Sequence, residues 1–205
     1  MTAFRAVPII AVALSLAGCV QAADASPLLS EEAIIAMGAE QRAAGNLEQA
    51  AALEDGAVTR EEYEAAFADL GACLSRHGYS IGASWTSPID GNTILFRMDG
   101  DGLSETNKEQ VVGSCIGSYW DPVSAVYQDT AEFAMDENLR LAAIACLREL
   151  GYELTGDERT PAEMSGPDAV TDNGLSRRWE DTVACLRASQ HDLFPEIETF
   201  AITHR

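Results

Sequence analysis

Ala72-Cys73-Leu74-Ser75-Arg76-His77-Gly78-Tyr79 and Ala145-Cys146-Leu147-Arg148-Glu149-Leu150-Gly151-Tyr152 are two copies of one device. A glycine at C′ ends a helix by adopting the left-handed conformation. The leucine four residues earlier then occupies C3, the tyrosine that follows occupies C″, and in the Schellman arrangement these two side chains pack on each other. Cys-Leu-x-x-x-Gly-Tyr is therefore a helix stop that sets a cysteine one residue before its packed leucine. A partial third copy, Ala184-Cys185-Leu186-Arg187, lacks the Gly-Tyr. The repetition points to an internal duplication, with units over 59–134 and 135–205 and a leading helical segment over 30–58.

Working outward from the first copy, Thr59-x-x-Glu62 forms a capping box, and Tyr63, Phe67, Leu70, Leu74 and His77 fall on one helical face. Upstream, Ser30 is an N-cap for a helix reaching Leu53, which Gly45-Asn46 is placed to divide. Downstream, Tyr79–Pro88 and Asn92–Met98 flank Asp90-Gly91 and read as a hairpin. A two-residue turn there sets Trp85 opposite Phe96 and Ala83 opposite Met98, all on one face. Pro88 argues for a longer loop. Thr106-x-x-Glu109 predicts the start of another helix, and Asp121-Pro122 a restart after Trp120 with Asp121 as N-cap. The segment 156–174 reads as a long loop with one short helix after Thr160-Pro161, followed by a helix over Arg177–Ser189 and a short strand at Phe200-Ala201-Ile202. The expected class is α+β and mainly α-helical, with a small hairpin in the first of two helical modules.

The chain of 205 residues carries 33 acidic against 13 basic side chains, a net charge of −20. Phosphate backbones and anionic headgroups both repel such a surface, so nucleic acid is not an expected partner. With 47% hydrophobic residues, the chain has enough apolar material for a packed core.

Arg5 precedes the apolar run Val7–Ala17, which is too short for a spanning helix and fits the core of a secretory signal peptide. The run ends in Leu16-Ala17-Gly18-Cys19, which resembles the lipobox of bacterial lipoproteins. That resemblance implies removal of a signal peptide over 1–18, a diacylglyceryl thioether on Cys19, and a tether over 19–29. Attachment to the extracytoplasmic face of the membrane through that lipid follows, since two acyl chains suffice for stable anchoring. The competing reading is an ordinary secreted protein cleaved at Gln21-Ala22-Ala23. Setting Cys19 aside leaves Cys73, Cys115, Cys146 and Cys185. Four cysteines in an exported chain imply two disulfides with three connectivities. The matched intervals favour Cys73–Cys115 and Cys146–Cys185, each closing a loop of roughly 40 residues, for about 4 kcal/mol in the chain-entropy treatment.

Gly56-Ala57-Val58-Thr59-Arg60-Glu61-Glu62-Tyr63 and the two helix stops resemble a group of uncharacterised actinobacterial envelope lipoproteins over much of Ser30–Tyr152. The resemblance implies a location and disulfides. It implies no chemistry.

No catalytic, cofactor or metal motif emerges. Asp99-Gly100-Asp101-Gly102 fails as an EF-hand loop, because Leu103, Ser104 and Gln110 stand where oxygen ligands, glycine and glutamate are required. A looser calcium site would use Asp99, Asp101 and Glu105. The histidines are His77, His191 and His204, with no near pair, and His77 suits the negative end of a helix dipole. Trp85, Trp120 and Trp179 fit core or hairpin roles better than ligand stacking. The leading expectation is a non-enzymatic envelope lipoprotein that binds an envelope protein or a small ligand. The alternatives are a lipid-anchored hydrolase of wall or extracellular polymer, and a solute- or metal-binding lipoprotein.

Overall fold

A computed structural model describes residues 29–100, 105–167, 169–171 and 174–202. Signal peptide, lipobox, Cys19 and most of the tether lie outside them. Among the described residues, eight helices and two small antiparallel ladders follow in the order α1 (Glu31–Ala44), α2 (Leu47–Ala52), α3 (Arg60–Arg76), β1 (Ser80–Thr86), β2 (Ile94–Asp99), α4 (Glu105–Tyr119), α5 (Asp121–Thr130), α6 (Glu137–Glu149), α7 (Pro161–Ser165), β3 (Val170–Thr171), β4 (Gly174–Leu175) and α8 (Arg177–Leu193). The fold is mainly helical with a small hairpin, as the patterning predicts.

Both helix stops have the expected geometry. At the end of α3, Tyr79 N–H donates to Leu74 O at 3.1 Å and Gly78 N–H to Ser75 O at 3.1 Å. At the end of α6, Tyr152 N–H donates to Leu147 O at 3.1 Å and Gly151 N–H to Arg148 O at 3.0 Å. Gly78 and Gly151 have φ of 81° and 91°, the conformation that side chains with a Cβ resist. Leu74 and Leu147 are fully buried. The cysteines beside them are bridged, Cys73 to Cys115 and Cys146 to Cys185, with Cα–Cα distances of 5.7 and 5.8 Å.

Buried side chains form two clusters. The first gathers Ile34, Leu53, Leu70, Leu74 and Val123 around an aromatic stack. In that stack the Tyr63 ring lies 4.3 Å from Tyr127 and 4.7 Å from Trp120. The Tyr63 hydroxyl accepts from Ile94 N–H at 2.9 Å, which ties α3 to the start of β2. Burial raises the Tyr63 hydroxyl above the ordinary tyrosine range, against the lowering effect of that donor. The second cluster is aliphatic: Leu139, Ala143, Ile144, Leu147, Met164 and Leu186, with Cys185 and Ile89.

Ile89 comes from the β1–β2 loop and is 1% exposed. Its loop is longer than two residues. Ser87 N–H donates to Thr93 O at 2.8 Å, and Gly91 N–H to Ser87 O at 2.9 Å. Inside this closure the buried Asp90 carboxylate accepts from the N–H groups of Asn92 and Thr93, both at 2.9 Å, and from the Thr93 hydroxyl at 2.6 Å. The loop then grips the segment before α6: Ala134 N–H donates to Asp90 O at 2.9 Å and Asp136 N–H to Pro88 O at 2.8 Å. Asn92 Nδ2 donates to Glu132 O. The first unit's hairpin therefore plugs the second unit's core.

Several local expectations are corrected. Trp85 pairs with Leu95, Ser84 with Phe96 and Ile81 with Met98, with an irregularity between Ile81 and Ser84. The longer loop shifts the register by one residue, so Trp85 shares a face with Leu95 and not with Phe96, and the bulge, with two residues of β1 against one of β2, shifts it again before Ile81. Ile81, Ile94, Phe96 and Met98 pack on the first core. Thr106 is not an N-cap, because α4 already includes Glu105. Trp120 precedes the first residue of α5, which places Asp121 inside that helix. The 156–174 segment holds α7, with its Thr160–Glu163 capping box, and also β3 and the start of β4. Phe200 and Ile202 form no strand; they pack on the second core as irregular chain.

Candidate functional site

Alanines make the smaller of two grooves among the described residues. α2 and α3 approach through small side chains, Ala51 and Ala52 against Ala65 and Ala66, with Val123 of α5 at the base. They leave a cavity of about 310 Å³ whose rim carries Glu48, Glu62 and Asp69. Buried Gln49 fixes the floor, donating from Nε2 to Gly117 O at 3.2 Å and accepting from Val123 N–H at 3.4 Å. Glu62 is partly committed, since its carboxylate accepts from Thr59 N–H and Thr59 Oγ1, both at 2.8 Å. At the edge Tyr119 receives Arg76, whose guanidinium sits 5.8 Å from the ring centroid. An apolar floor under a carboxylate rim suits a cation with an apolar stem, since such a side chain can bury its methylenes while its charge meets the rim.

The second groove, about 420 Å³, lies between α6 and the loop before α7 and includes Phe133, Met135, Asp157 and Arg159 in its lining. Arg140 forms one wall. Its Nε and Nη2 meet the Glu137 carboxylate at 2.8 and 2.9 Å, and its Nη1 donates to Gly156 O and Glu158 O. The guanidinium is raised above its ordinary value chiefly by Glu137, and Glu137 is lowered chiefly by Arg140. For Glu158, burial works upward but is outweighed by donors from Glu158, Thr155 and Gly156, so it also lies below its ordinary value. The fork of Arg140 is thus occupied by the protein's own acceptors. Its arrangement is that of a loop clamp.

Among the described residues, the histidines, tryptophans and Asp99 weighed from the sequence lie apart from one another. Asp99 pairs with Arg97 at 3.1 Å, while Asp101 lies outside the described residues. His191 is exposed near Asp192, and His204 is not among the described residues. Trp120 and Trp179 are buried, and Trp85 is half-buried on β1. Tyr152 donates to Asp181 Oδ2 at 2.6 Å, and this bond raises its hydroxyl above the ordinary range, with burial adding to the effect. Arg178 lies over the same ring at 5.4 Å.

One compact cluster does form. Among the described residues, the side chains with the closeness of metal ligands are Cys73, His77 and Cys115, whose ligand atoms all lie within 4.8 Å of one another. The cysteines are buried and bonded to each other, while His77 is exposed at the C-cap of α3. The Cys-x-x-x-His spacing was visible in the sequence; the third member, 42 residues from Cys73, became part of the cluster only through the bridge. Gln49 carries no local sequence signal, because its partners lie on α4 and α5; Arg140 has a local partner in Glu137, but its loop acceptors Gly156 and Glu158 lie outside α6. Comparison with protein-family models, curated proteins and solved structures yields no match to this chain.

Proposed function

We propose that this protein is an extracytoplasmic lipoprotein, held at the membrane by lipid on Cys19, that serves as a binding module of the cell envelope. The observation that carries the reading is the pair of local disulfides: every cysteine after Cys19 is bridged within its own unit. Such bridges persist where the surroundings are oxidising. The export leader accounts for how the chain reaches such surroundings. Among the described residues no helix is long and apolar enough to cross a membrane, and the lipobox supplies a different means of attachment.

The partner chemistry follows from the alanine-floored groove. Its carboxylate rim, on a chain of net charge −20, favours a basic side chain of an envelope protein. In the second groove the guanidinium of Arg140 is already engaged by Glu137, Gly156 and Glu158, and serves to hold the loop.

Two experiments test this. Cys19→Ala should move the protein from the membrane fraction to the released fraction, and unchanged fractionation would contradict lipid anchoring. Titration with a lysine-rich peptide should shift the NMR signals of Ala51, Ala65 and Tyr119. The response should weaken with salt and vanish in Glu48→Lys/Asp69→Lys. Absence of those shifts in the parent protein would refute the groove as the binding surface.

A further inference from the structure

The two helix stops differ at one informative position. His77 follows Cys73 by four residues at the C-cap of α3, and Leu150 holds the corresponding place after Cys146 at the C-cap of α6. Only the first disulfide therefore has an imidazole beside it in the shared C-cap position. We propose that the Cys73–Cys115 corner is a redox-gated zinc site: closed while the disulfide stands, and open to Zn²⁺ as two thiolates and the His77 imidazole once the bridge is reduced.

The chemistry balances with a thiol or dithiol reductant. Two electrons and two protons pass to the protein sulfurs, the S–S bond breaks, and the reductant leaves as its own disulfide. Zn²⁺ then displaces the two protons and binds both thiolates and one ring nitrogen. Zinc–thiolate bonds of about 2.3 Å at tetrahedral angles set the sulfurs about 3.8 Å apart. That separation asks for side-chain rotation, because the Cα atoms are 5.7 Å apart across the same corner and the three ligand atoms already lie within 4.8 Å. Cys73 in the last turn of α3 and His77 at its C-cap are four residues apart, and α4 supplies Cys115 from the packed side. Three protein ligands leave a fourth position, and it faces outward because His77 is the exposed member. Reoxidation by a small-molecule or protein disulfide passes two electrons from the thiolates to that oxidant, which leaves as its two thiolates; the Cys73–Cys115 bond re-forms and the ion is expelled, so occupancy reports the redox state. This site does not depend on the lipid anchor or the acidic groove.

The test uses the full chain carrying Cys19→Ala, so that the four bridged cysteines are the only thiols. Oxidised protein should take up no zinc in competition with a chromogenic chelator. After reduction with a phosphine it should bind one equivalent tightly, and zinc should raise the Tm of the reduced chain. His77→Leu makes the first corner like the second, at an exposed position that folding tolerates. Losing a direct ligand should weaken zinc binding by more than the ~10–100-fold typical of outer-shell partners. Cys146→Ala/Cys185→Ala should keep the tight equivalent. Equal affinity in His77→Leu, loss of binding in the Cys146→Ala/Cys185→Ala variant, or a reduced parent that neither binds zinc nor gains Tm from it would each overturn the proposal.

Discussion

The first unit builds its interior from stacked rings and the second from branched aliphatics, yet both end a helix in the same way and staple it one residue before the leucine buried at the stop. Tyr63, Trp120 and Tyr127 stack in the first, and Leu139, Ile144, Leu147 and Leu186 pack in the second. What is shared is short-range: a bridge, a buried leucine and a left-handed glycine. The contents of each core and the insert between the bridged helices differ. The insert is a hairpin with a plug in the first unit, and a clamped loop with a short capped helix in the second. A cysteine beside a helix stop can thus be reused with different packing around it, because the stop depends only on residues within the last turn and the bridge only on one neighbouring helix.

The largest expected effect comes from the staples. Cys73 and Cys115 are 42 residues apart, Cys146 and Cys185 are 39 apart, and loop-closure entropy depends only logarithmically on that length. Removing either bridge as a double alanine variant should cost about 4 kcal/mol, with little difference between the two. Urea unfolding without reductant measures both. A large inequality would show that the surrounding cores, not loop length, set the contribution of each bridge.

Next in size is the contact that makes the units unequal. Ile89→Ala should cost about 2–4 kcal/mol, because the plug is fully buried and leaves a cavity. Amide exchange should speed up in α6 (137–149), around the lost contact, with α3 (60–76) keeping its protection. Equal loss in both helices would mean that the two cores open as one.

Smaller still are the helix stops. Gly78 and Gly151 both have positive φ, and a Cβ at either would meet nothing within 4 Å. Gly78→Ala and Gly151→Ala should therefore each cost about 1–2 kcal/mol from backbone conformation alone, and their thermal shifts should match. A clear difference would signal that one stop relaxes in its unit.

The weakest effect is acid sensitivity, specific to the second unit. Glu137 and Glu158 lie below the ordinary glutamate value of 4.5, Glu137 chiefly through Arg140 and Glu158 through the backbone donors that outweigh its burial. A carboxyl lowered in the folded state contributes stability above its unfolded value, and that contribution is lost as pH falls through the folded one. Tm should decline as pH drops below about 4.5, and Arg140→Met should flatten the part of that decline due to Glu137. An identical slope in the variant would argue that Arg140 does not set it.

The helix stops and the pairing of cysteines were legible because they rest on residues within one turn and on matched intervals. The capping box at Thr59 and the short helix after Thr160-Pro161 were legible for the same reason, whereas the start expected at Thr106 falls inside α4. Hairpin register was not. The bulge between Ile81 and Ser84 leaves no compositional mark, and Asp90 folds a seven-residue loop around its carboxylate where Asp90-Gly91 also suits a tight turn. Ile89 reads as part of its own hairpin, yet the other buried members of its cluster begin at Leu139, on α6. The acidic groove stayed hidden because alanines on α2 and α3 look like ordinary helix formers until two helices meet. His77 was visible as a helix-end histidine, and its nearness to Cys115 depends on how α4 packs against α3.

The most direct test of an exported, doubly stapled chain is a peptide map made without reduction, on protein taken from the membrane fraction of its own cells. The account predicts one linked peptide pair joining Cys73 to Cys115 and another joining Cys146 to Cys185. Free thiols at these four positions, or a peptide joining Cys73 to Cys146, would contradict it.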